Sequence, residues 1–203
     1  MTVSHFDERA RDWDSDPAKV ERAKAAANAI RTAIQLKLSM NALEYGCGTG
    51  LLSFALQSDL GQITLADTSP GMLDVLREKI AASQVTNMRP VLLDLTTDLL
   101  PAERYDLTYS LMVLHHIHDT RHILHQFHTL LKPAGVLCVC DLDREDGSFH
   151  KYEFDGHLGF SRAELKDLVE ASGFEQVGFS NVYEIKKDEK FYPLFLMTAQ
   201  KRG

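Results

Sequence analysis

Three kinds of residue in this sequence stand where they could do chemistry together. A glycine cluster, Gly46-Cys47-Gly48-Thr49-Gly50, follows the short apolar run Ala42 to Tyr45. Glycine lets a chain take positive φ and lets bare backbone N–H groups approach a ligand closely. The helix expected to open at Leu51 adds oriented donors and a partial positive charge. Such a turn suits a polar or anionic group laid against backbone. Carboxylates come next: Asp67 closes the run Ile63-Thr-Leu-Ala-Asp67, and Asp94 closes Val91-Leu-Leu-Asp94. An acid at the end of the second strand of a nucleoside-binding sheet accepts hydrogen bonds from ribose hydroxyls. Histidines form the third kind. His115, His116, His150 and His157, with Asp141 and Asp143, are the candidate general bases, because imidazole titrates near neutral pH.

These groups need a scaffold that brings them to one edge, and the chain supplies the pattern for it. Short apolar or β-branched runs alternate with amphipathic helical stretches, the order of a parallel sheet with helices on both faces. Residues 1–15 read as irregular. Asp16 then stands as an N-cap with Pro17 at the first helical position, and Val20, Ala23, Ala27, Ile30 and Ile34 follow at helical spacing. Strands are predicted over 42–45, 63–67, 91–94, 105–111 and 136–142. Helices are predicted over about 51–58, from Ser69-Pro70 through Ile80, and over about 119–131. Ser161 and Glu164 form a capping box for a helix that closes at Gly173. Two last extended runs, Phe174 to Ile185 and Phe191 to Gln200, are placed to pair as a hairpin. The expected fold is therefore α/β: a Rossmann-like, doubly wound, seven-stranded sheet, mostly parallel with an antiparallel C-terminal strand.

Bulk properties narrow the function classes. The chain of 203 residues fits one α/β domain. Its formal net charge of −7 argues against a phosphate backbone as partner. The three cysteines, Cys47, Cys138 and Cys140, are an odd number lying inside apolar runs, which reads as a reducing compartment rather than a disulfide framework. The charged N-terminus lacks a secretory pattern and no apolar stretch has membrane-spanning length, so a cytoplasmic location is expected, with no nucleic acid and no membrane as partner. Oligomeric state has no sequence signal.

The motifs, taken in order, resemble those of class I S-adenosylmethionine-dependent methyltransferases, and most closely the small-molecule branch that includes quinone-biosynthesis enzymes. Leu43-Glu-Tyr-Gly-Cys-Gly-Thr-Gly50 resembles the family's first motif and Leu65-Ala-Asp-Thr-Ser-Pro-Gly-Met-Leu73 its second-strand segment. Tyr105 to Asp119 resembles the family's fourth-strand segment, and Leu130 to Leu137 the lead into the fifth. The resemblance covers about residues 40–200. It implies S-adenosylmethionine as cofactor, S-adenosylhomocysteine as product and a small molecule as acceptor. Gly46, Gly48 and Gly50 would cradle the methionine portion, and Glu44 would face its ammonium group. Asp67 would hold the ribose, Thr68 and Met72 would flank ribose and adenine, and Asp94 and Leu95 would meet the adenine edge. Leu111 would touch the methionine tail. His116 would line the methyl-transfer mouth, with His115 and Asp143 as further catalytic candidates. Residues 1–40 form an N-terminal arm and helix, a candidate lid through Phe6 and Trp13, and residues 41–203 the methyltransferase domain. The sequence lacks the Asn/Asp-Pro-Pro-aromatic motif of amino-methylating nucleic-acid enzymes and the paired-glutamate loop of protein arginine enzymes.

Two other readings stand beside it. A nicotinamide-dependent oxidoreductase shares the fold class but spaces its glycines G-x-G-x-x-G, and Leu51 occupies the third glycine's place. A non-catalytic S-adenosylmethionine-binding sensor or partner subunit would carry the same motif, and turnover of an acceptor separates the two. The four histidines His118, His122, His125 and His128 recur at helical intervals. They fall opposite the apolar face of Ile123, Leu124, Phe127, Leu130 and Leu131, so a solvated helix face explains them without a metal. Asp143 to Gly159 is the expected lining of the acceptor pocket.

Overall fold

The computed structural model describes residues 3–150 and 154–202, with the side chains of Val3 and Ser4 left aside. The expected alternation is present. Helix α1 (Val3–Arg9) runs into a 3-10 helix (Ala10–Ser15), and then come α2 (Pro17–Ala33), β1 (Ala42–Tyr45), α3 (Leu51–Leu56), β2 (Ile63–Asp67) and α4 (Pro70–Ser83). The chain continues with β3 (Met88–Leu92), β4 (Tyr105–Leu111), a 3-10 turn (Leu114–His116), α5 (Thr120–Leu130), β5 (Leu131–Leu142), α6 (Arg162–Ala171), β6 (Phe174–Lys187) and β7 (Lys190–Lys201).

The seven strands lie in the order β3-β2-β1-β4-β5-β7-β6. All neighbouring pairs from β3 to β5 are parallel, and β7 is antiparallel to both β5 and β6. The central strands β1, β2 and β4 and the C-terminal half of β5 are buried on both faces, which is why they are largely apolar rather than alternating, whereas the edge strands β3 and β6 are partly exposed and carry polar residues. Ala42, Ile63, Leu65, Leu107, Tyr109, Cys138 and Leu196 point to the face covered by α2, α3 and α4. Leu43, Tyr45, Ala66, Leu137, Val139, Phe195 and Met197 point to the face covered by α5 and α6.

Local chemistry sets the helix starts. Asp16 accepts a hydrogen bond from Ala18 N at 3.0 Å. Ser69 Oγ accepts from Met72 N at 3.1 Å, and Asp119 accepts from His122 N at 2.8 Å. Each cap satisfies one of the orphan donors of a first turn.

Three elements depart from the sequence expectation. Residues 3–15 are helical, not irregular. They are held by side-chain bonds to distant segments rather than by an apolar stripe, so periodicity could not reveal them. The third strand is Met88–Leu92, earlier than 91–94. It is an edge strand, where Pro90 is tolerated because one side needs no ladder bond. The fifth strand starts at Leu131, ahead of Pro133-Ala134-Gly135, because Leu131 pairs across a bulge with Tyr105.

Candidate functional site

Chain order runs outward in both directions from β1, to β2 on one side and to β4 on the other. A crevice opens beyond the C-terminal ends of strands where such a sheet reverses. Here that crevice is a cavity of about 1190 Å³, roofed by the N-terminal segment. It exceeds the roughly 300–1,000 Å³ of an ordinary small-ligand pocket, leaving space for a nucleoside-sized ligand and a second small molecule.

One end is the glycine turn. Gly46, Gly48 and Gly50 have φ of +69°, +52° and +80°. Gly46 N and Cys47 N donate to Ala66 O at 2.8 and 3.0 Å, tying the turn to the end of β2. A Cβ on Gly48 would meet nothing nearer than Met72 Sδ at 3.9 Å and Trp13 Nε1 at 4.0 Å, so the space before it belongs to a ligand. Gly50 has a different task. A Cβ there would lie 2.6 Å from Leu76 Cδ1, so this glycine lets α4 pack close. Gly46 and Gly48 line the cavity and Gly50 does not.

Carboxylates flank the turn. Asp67 lines the cavity, accepting from Gly48 N at 2.6 Å and from Ser69 N at 2.9 Å. Those bonds fix its orientation and leave lone pairs on both oxygens. Burial nevertheless raises its pKa. Asp94 accepts from Thr96 N at 2.9 Å and lines the same wall, as do Thr68, Met72 and Leu111. Leu95 does not. Its side chain lies in the α5–α6 core, and its amide donates to Tyr45 OH at 3.2 Å. Glu44 is buried at the cavity wall, taking a hydrogen bond from Ser53 Oγ, which itself lies 2.6 Å from Tyr109 OH. Burial pushes the Glu44 carboxyl up to about 8.

The N-terminal segment lies over this end. Asp7 accepts from Ser69 Oγ and from Gly71 N at 2.8 Å. Asp14 accepts from Thr49 Oγ1 and from Lys79 Nζ, and Lys79 also donates to Thr49 O at 2.7 Å. Phe6 and Trp13 line the cavity, their rings 5.9 Å apart.

The other end is built from side chains. After β4, Met112 turns the chain at φ +59° while its N–H donates to Cys140 O at 2.8 Å. A non-glycine residue in that region is strained and signals a position the surroundings enforce. The turn delivers His115 and His116 into the cavity. His115 Nδ1 is 2.7 Å from Asp141 Oδ1, and its backbone N donates to Asp141 Oδ2 at 3.2 Å. Burial works against the charge of Asp141, yet His115 and the hydrogen bonds hold its pKa below the ordinary carboxylate value. His116 sits 4.1 Å from the His115 ring, centre to centre, with Phe6 edge-on at 5.8 Å and its Nδ1 without a partner. Burial and the neighbouring His115 pull His116 down to about 3, so it is neutral and a feeble base. His150 also lines the cavity, drawn down to about 4 by burial and His115.

Other candidates lie elsewhere. Asp143 is gripped by Arg162, from Nε at 2.7 Å and from a terminal nitrogen at 2.6 Å, and is not a cavity residue. His157 Nε2 lies 3.0 Å from Ile117 O and 3.1 Å from Thr120 Oγ1, bracing the loop. Of the loop 143–159, Phe149 and His150 reach the cavity, and residues 151–153 lie outside the described residues. Sequence reasoning passed over Arg22, Met112 and Val113, which line the cavity, and did not pair Asp141 with His115. The oxidoreductase reading would want a catalytic Tyr-x-x-x-Lys, expected to be absent; Tyr183 and Lys187 have that spacing, but they lie on β6, where such residues stand about 13 Å apart. Tyr183 OH faces Glu21 at 3.5 Å and Lys187 Nζ donates to Phe149 O at 2.8 Å, so the two do not act together.

Among the described residues no helix is long and apolar enough to cross a membrane, and no three His, Cys, Asp or Glu residues are grouped to hold a metal.

This sheet order, with its glycine turn and strand-end acids, defines a Rossmann-like α/β protein. A methyltransferase-domain family model matches residues 18–177, and the chain belongs to that family. It is 33% identical over 167 residues to an uncharacterized methyltransferase of Schizosaccharomyces pombe, covering 74% of this chain and 57% of the relative. It is 27% identical over 146 residues to a ubiquinone biosynthesis O-methyltransferase of Coxiella burnetii, covering 70% of this chain and 62% of the relative. The chain thus spans about three-fifths of the length of these relatives. Among solved structures, phosphoethanolamine N-methyltransferase 2 of Haemonchus contortus in complex with S-adenosyl-L-methionine shares the fold. Its TM-score is 0.73 at 15% identity, covering 87% of this chain and 52% of that one.

Proposed function

We propose that the chain binds S-adenosylmethionine in this cavity and transfers its methyl group to a small-molecule acceptor by in-line displacement. The observation that carries the reading is one continuous cavity with a backbone-built nucleoside cradle at one end and a buried His–Asp pair at the other. The residues present suit the cofactor. The space before Gly48 is open, the free lone pairs of Asp67 suit a ribose diol, and Glu44 suits an ammonium group. Asp94 and Thr96 form the wall where an adenine edge would lie.

When bound, the cofactor supplies a sulfonium-activated methyl group, so the protein needs to align, desolvate and deprotonate rather than activate the donor. Asp141 accepts the Nδ1 proton of His115 and so selects the tautomer whose Nε2 is a free base. His115 is the residue we assign to take the proton of a hydroxyl acceptor as the new O–CH₃ bond forms and the CH₃–S bond breaks. Asp141 positions it. Phe6, Trp13 and the half-buried, neutral His116 exclude water from the transfer path.

The test is calorimetric titration with S-adenosylmethionine and S-adenosylhomocysteine. The wild type is expected to bind, and Asp67→Ala to lose about 2–4 kcal/mol of binding through two charge-assisted hydrogen bonds. A folded wild type that binds neither ligand refutes the reading.

A further inference from the structure

The Glu44 carboxyl is backed by a line of hydroxyls that the methyl-transfer step does not use. Ser53 Oγ, on α3, donates to Glu44 Oε2, and Tyr109 OH, on β4, lies 2.6 Å from Ser53 Oγ. Glu44, at the C-terminal end of β1, is 2% exposed, and Ser53 and Tyr109 are fully buried. Glu44 lines the cavity, and the two hydroxyls stand behind it in the α2–α3–α4 core. Alanine and phenylalanine would fill those two places without burying polar atoms, so the hydroxyls answer a need of the carboxyl.

That need follows from the two charge states. An ionised carboxylate only accepts hydrogen bonds, and a protonated one also donates. A hydroxyl does both, and it changes role by turning about its C–O bond. With Glu44 ionised, Tyr109 donates to Ser53 and Ser53 donates to Glu44, so every proton of the line is used. With Glu44 protonated, the line is able to run the other way, from the acid to Ser53 and from Ser53 to the Tyr109 oxygen. The oxygens stay in place in both cases. The reversed line leaves the Tyr109 proton without an acceptor in it, so the arrangement favours the charged carboxylate.

The surroundings make Glu44 the member that changes charge. Burial, reinforced by Glu44, keeps the Tyr109 phenol and the Cys47 thiol well above their ordinary values, so both stay neutral. Burial also dominates at Glu44, where Asp67 of β2 adds to the rise while Ser53 and Lys79 of α4 oppose it. Lys79 is itself tied to Asp14 and to Thr49 O. Arg22 of α2 lines the same cavity.

We propose that Ser53 and Tyr109 are positioning residues for cofactor binding, a reversible hydroxyl relay that keeps one oxygen of Glu44 bonded in either charge state and holds the other toward the cofactor's ammonium group. This rests on the methyl-transfer reading above. As the ammonium arrives, the carboxyl proton of Glu44 leaves to solvent. Ser53 and Tyr109 rotate their hydroxyls and keep their own protons.

The experiment measures S-adenosylhomocysteine affinity of the full chain by calorimetry from about pH 6 to about pH 8.5. Methylthioadenosine, which shares the nucleoside but has no ammonium group, is the control and reports any titration of Asp67. Wild-type affinity for S-adenosylhomocysteine is expected to rise with pH, by as much as about tenfold per unit, while that for methylthioadenosine stays within about twofold. Ser53→Ala is expected to move the rise upward by about one pH unit and to leave methylthioadenosine unaffected. Tyr109→Phe is expected to move it the same way by less, and it carries the test if the alanine variant does not fold. Ser53→Thr, which keeps the hydroxyl, is expected to restore the wild-type profile. A wild-type S-adenosylhomocysteine profile as flat as the control overturns the proposal. So does an unmoved midpoint in the variants, even where they weaken both ligands alike, because that is the mark of a merely structural role. Failure of the wild type to bind S-adenosylhomocysteine at all is a different result, and refutes the methyl-transfer reading itself.

Discussion

The two ends of the cavity are finished to different degrees. At the glycine turn the polar groups answer one another. Asp67 is held by two backbone amides, Thr49 and Lys79 share Asp14, and Ser69 and Gly71 share Asp7. Beyond the glycine turn, His116 Nδ1 at the His115 end and Arg22 Nε on α2 have no partner, and both residues line the cavity. Buried polar groups in native proteins are nearly always satisfied, so exceptions point to function. The difference teaches which end is preorganised for its ligand and which end waits for a ligand to complete it.

Four substitutions sharpen or break that contrast. The largest effect is expected from His115→Ala, which should lower kcat by about 10²–10⁴ with S-adenosylhomocysteine affinity unchanged. Equal loss of binding would mean that the ends are not separate. Asp141→Asn keeps the shape but donates to Nδ1, which leaves Nε2 protonated. It should lower kcat nearly as far and alter the pH profile of kcat, a readout that a merely structural role would not move. Asp67→Ala should do the reverse of these two, weakening cofactor affinity by about 2–4 kcal/mol and acting on kcat much less.

The smallest effect belongs to Glu44→Gln. In the free protein the Glu44 carboxyl is protonated at pH 7, because burial has raised it to about 8. An ammonium group beside it would ionise it, so cofactor binding at pH 7 should release close to one proton, measured by calorimetry in buffers of different ionisation enthalpy. The glutamine variant should release none. The same shift has a sign for stability. A carboxyl raised in the folded state contributes stability that is fully present below its unfolded value of about 4.5 and is lost as pH rises through about 8. Denaturant midpoints should therefore fall over that window in the wild type and fall less in Glu44→Gln.

The contrast between the ends also explains what the sequence revealed. A backbone-built cradle depends on three positive φ angles within five residues, and a short glycine word encodes it. The strands that carry it, β1, β2 and β4, are buried on both faces, so their apolar runs marked their limits without error. The edge strand β3 mixes Arg89 and Pro90 into its run, and the more apolar residues just beyond it drew the prediction forward. The His115 end is assembled from residues 112, 113, 115, 116, 150 and 185–187, with Asp141 behind His115, and no local spacing joins them. His115, His116 and Asp141 were legible as candidates by type. Only the parallel pairing of β4 with β5 brings Asp141 to His115. Arg22 gave no signal, because one arginine in an amphipathic helix looks like its solvated neighbours.

Trp13 stands over the glycine-turn end, with the ammonium of Lys19 3.8 Å from its ring centre and Gly48 beneath its edge. It is the chain's one tryptophan. All indole emission from this protein therefore originates at the roof of the cavity, and the colour and brightness of that light register whether the roof is seated and what lies under it. Ligand arrival can be timed in a stopped-flow instrument without any label.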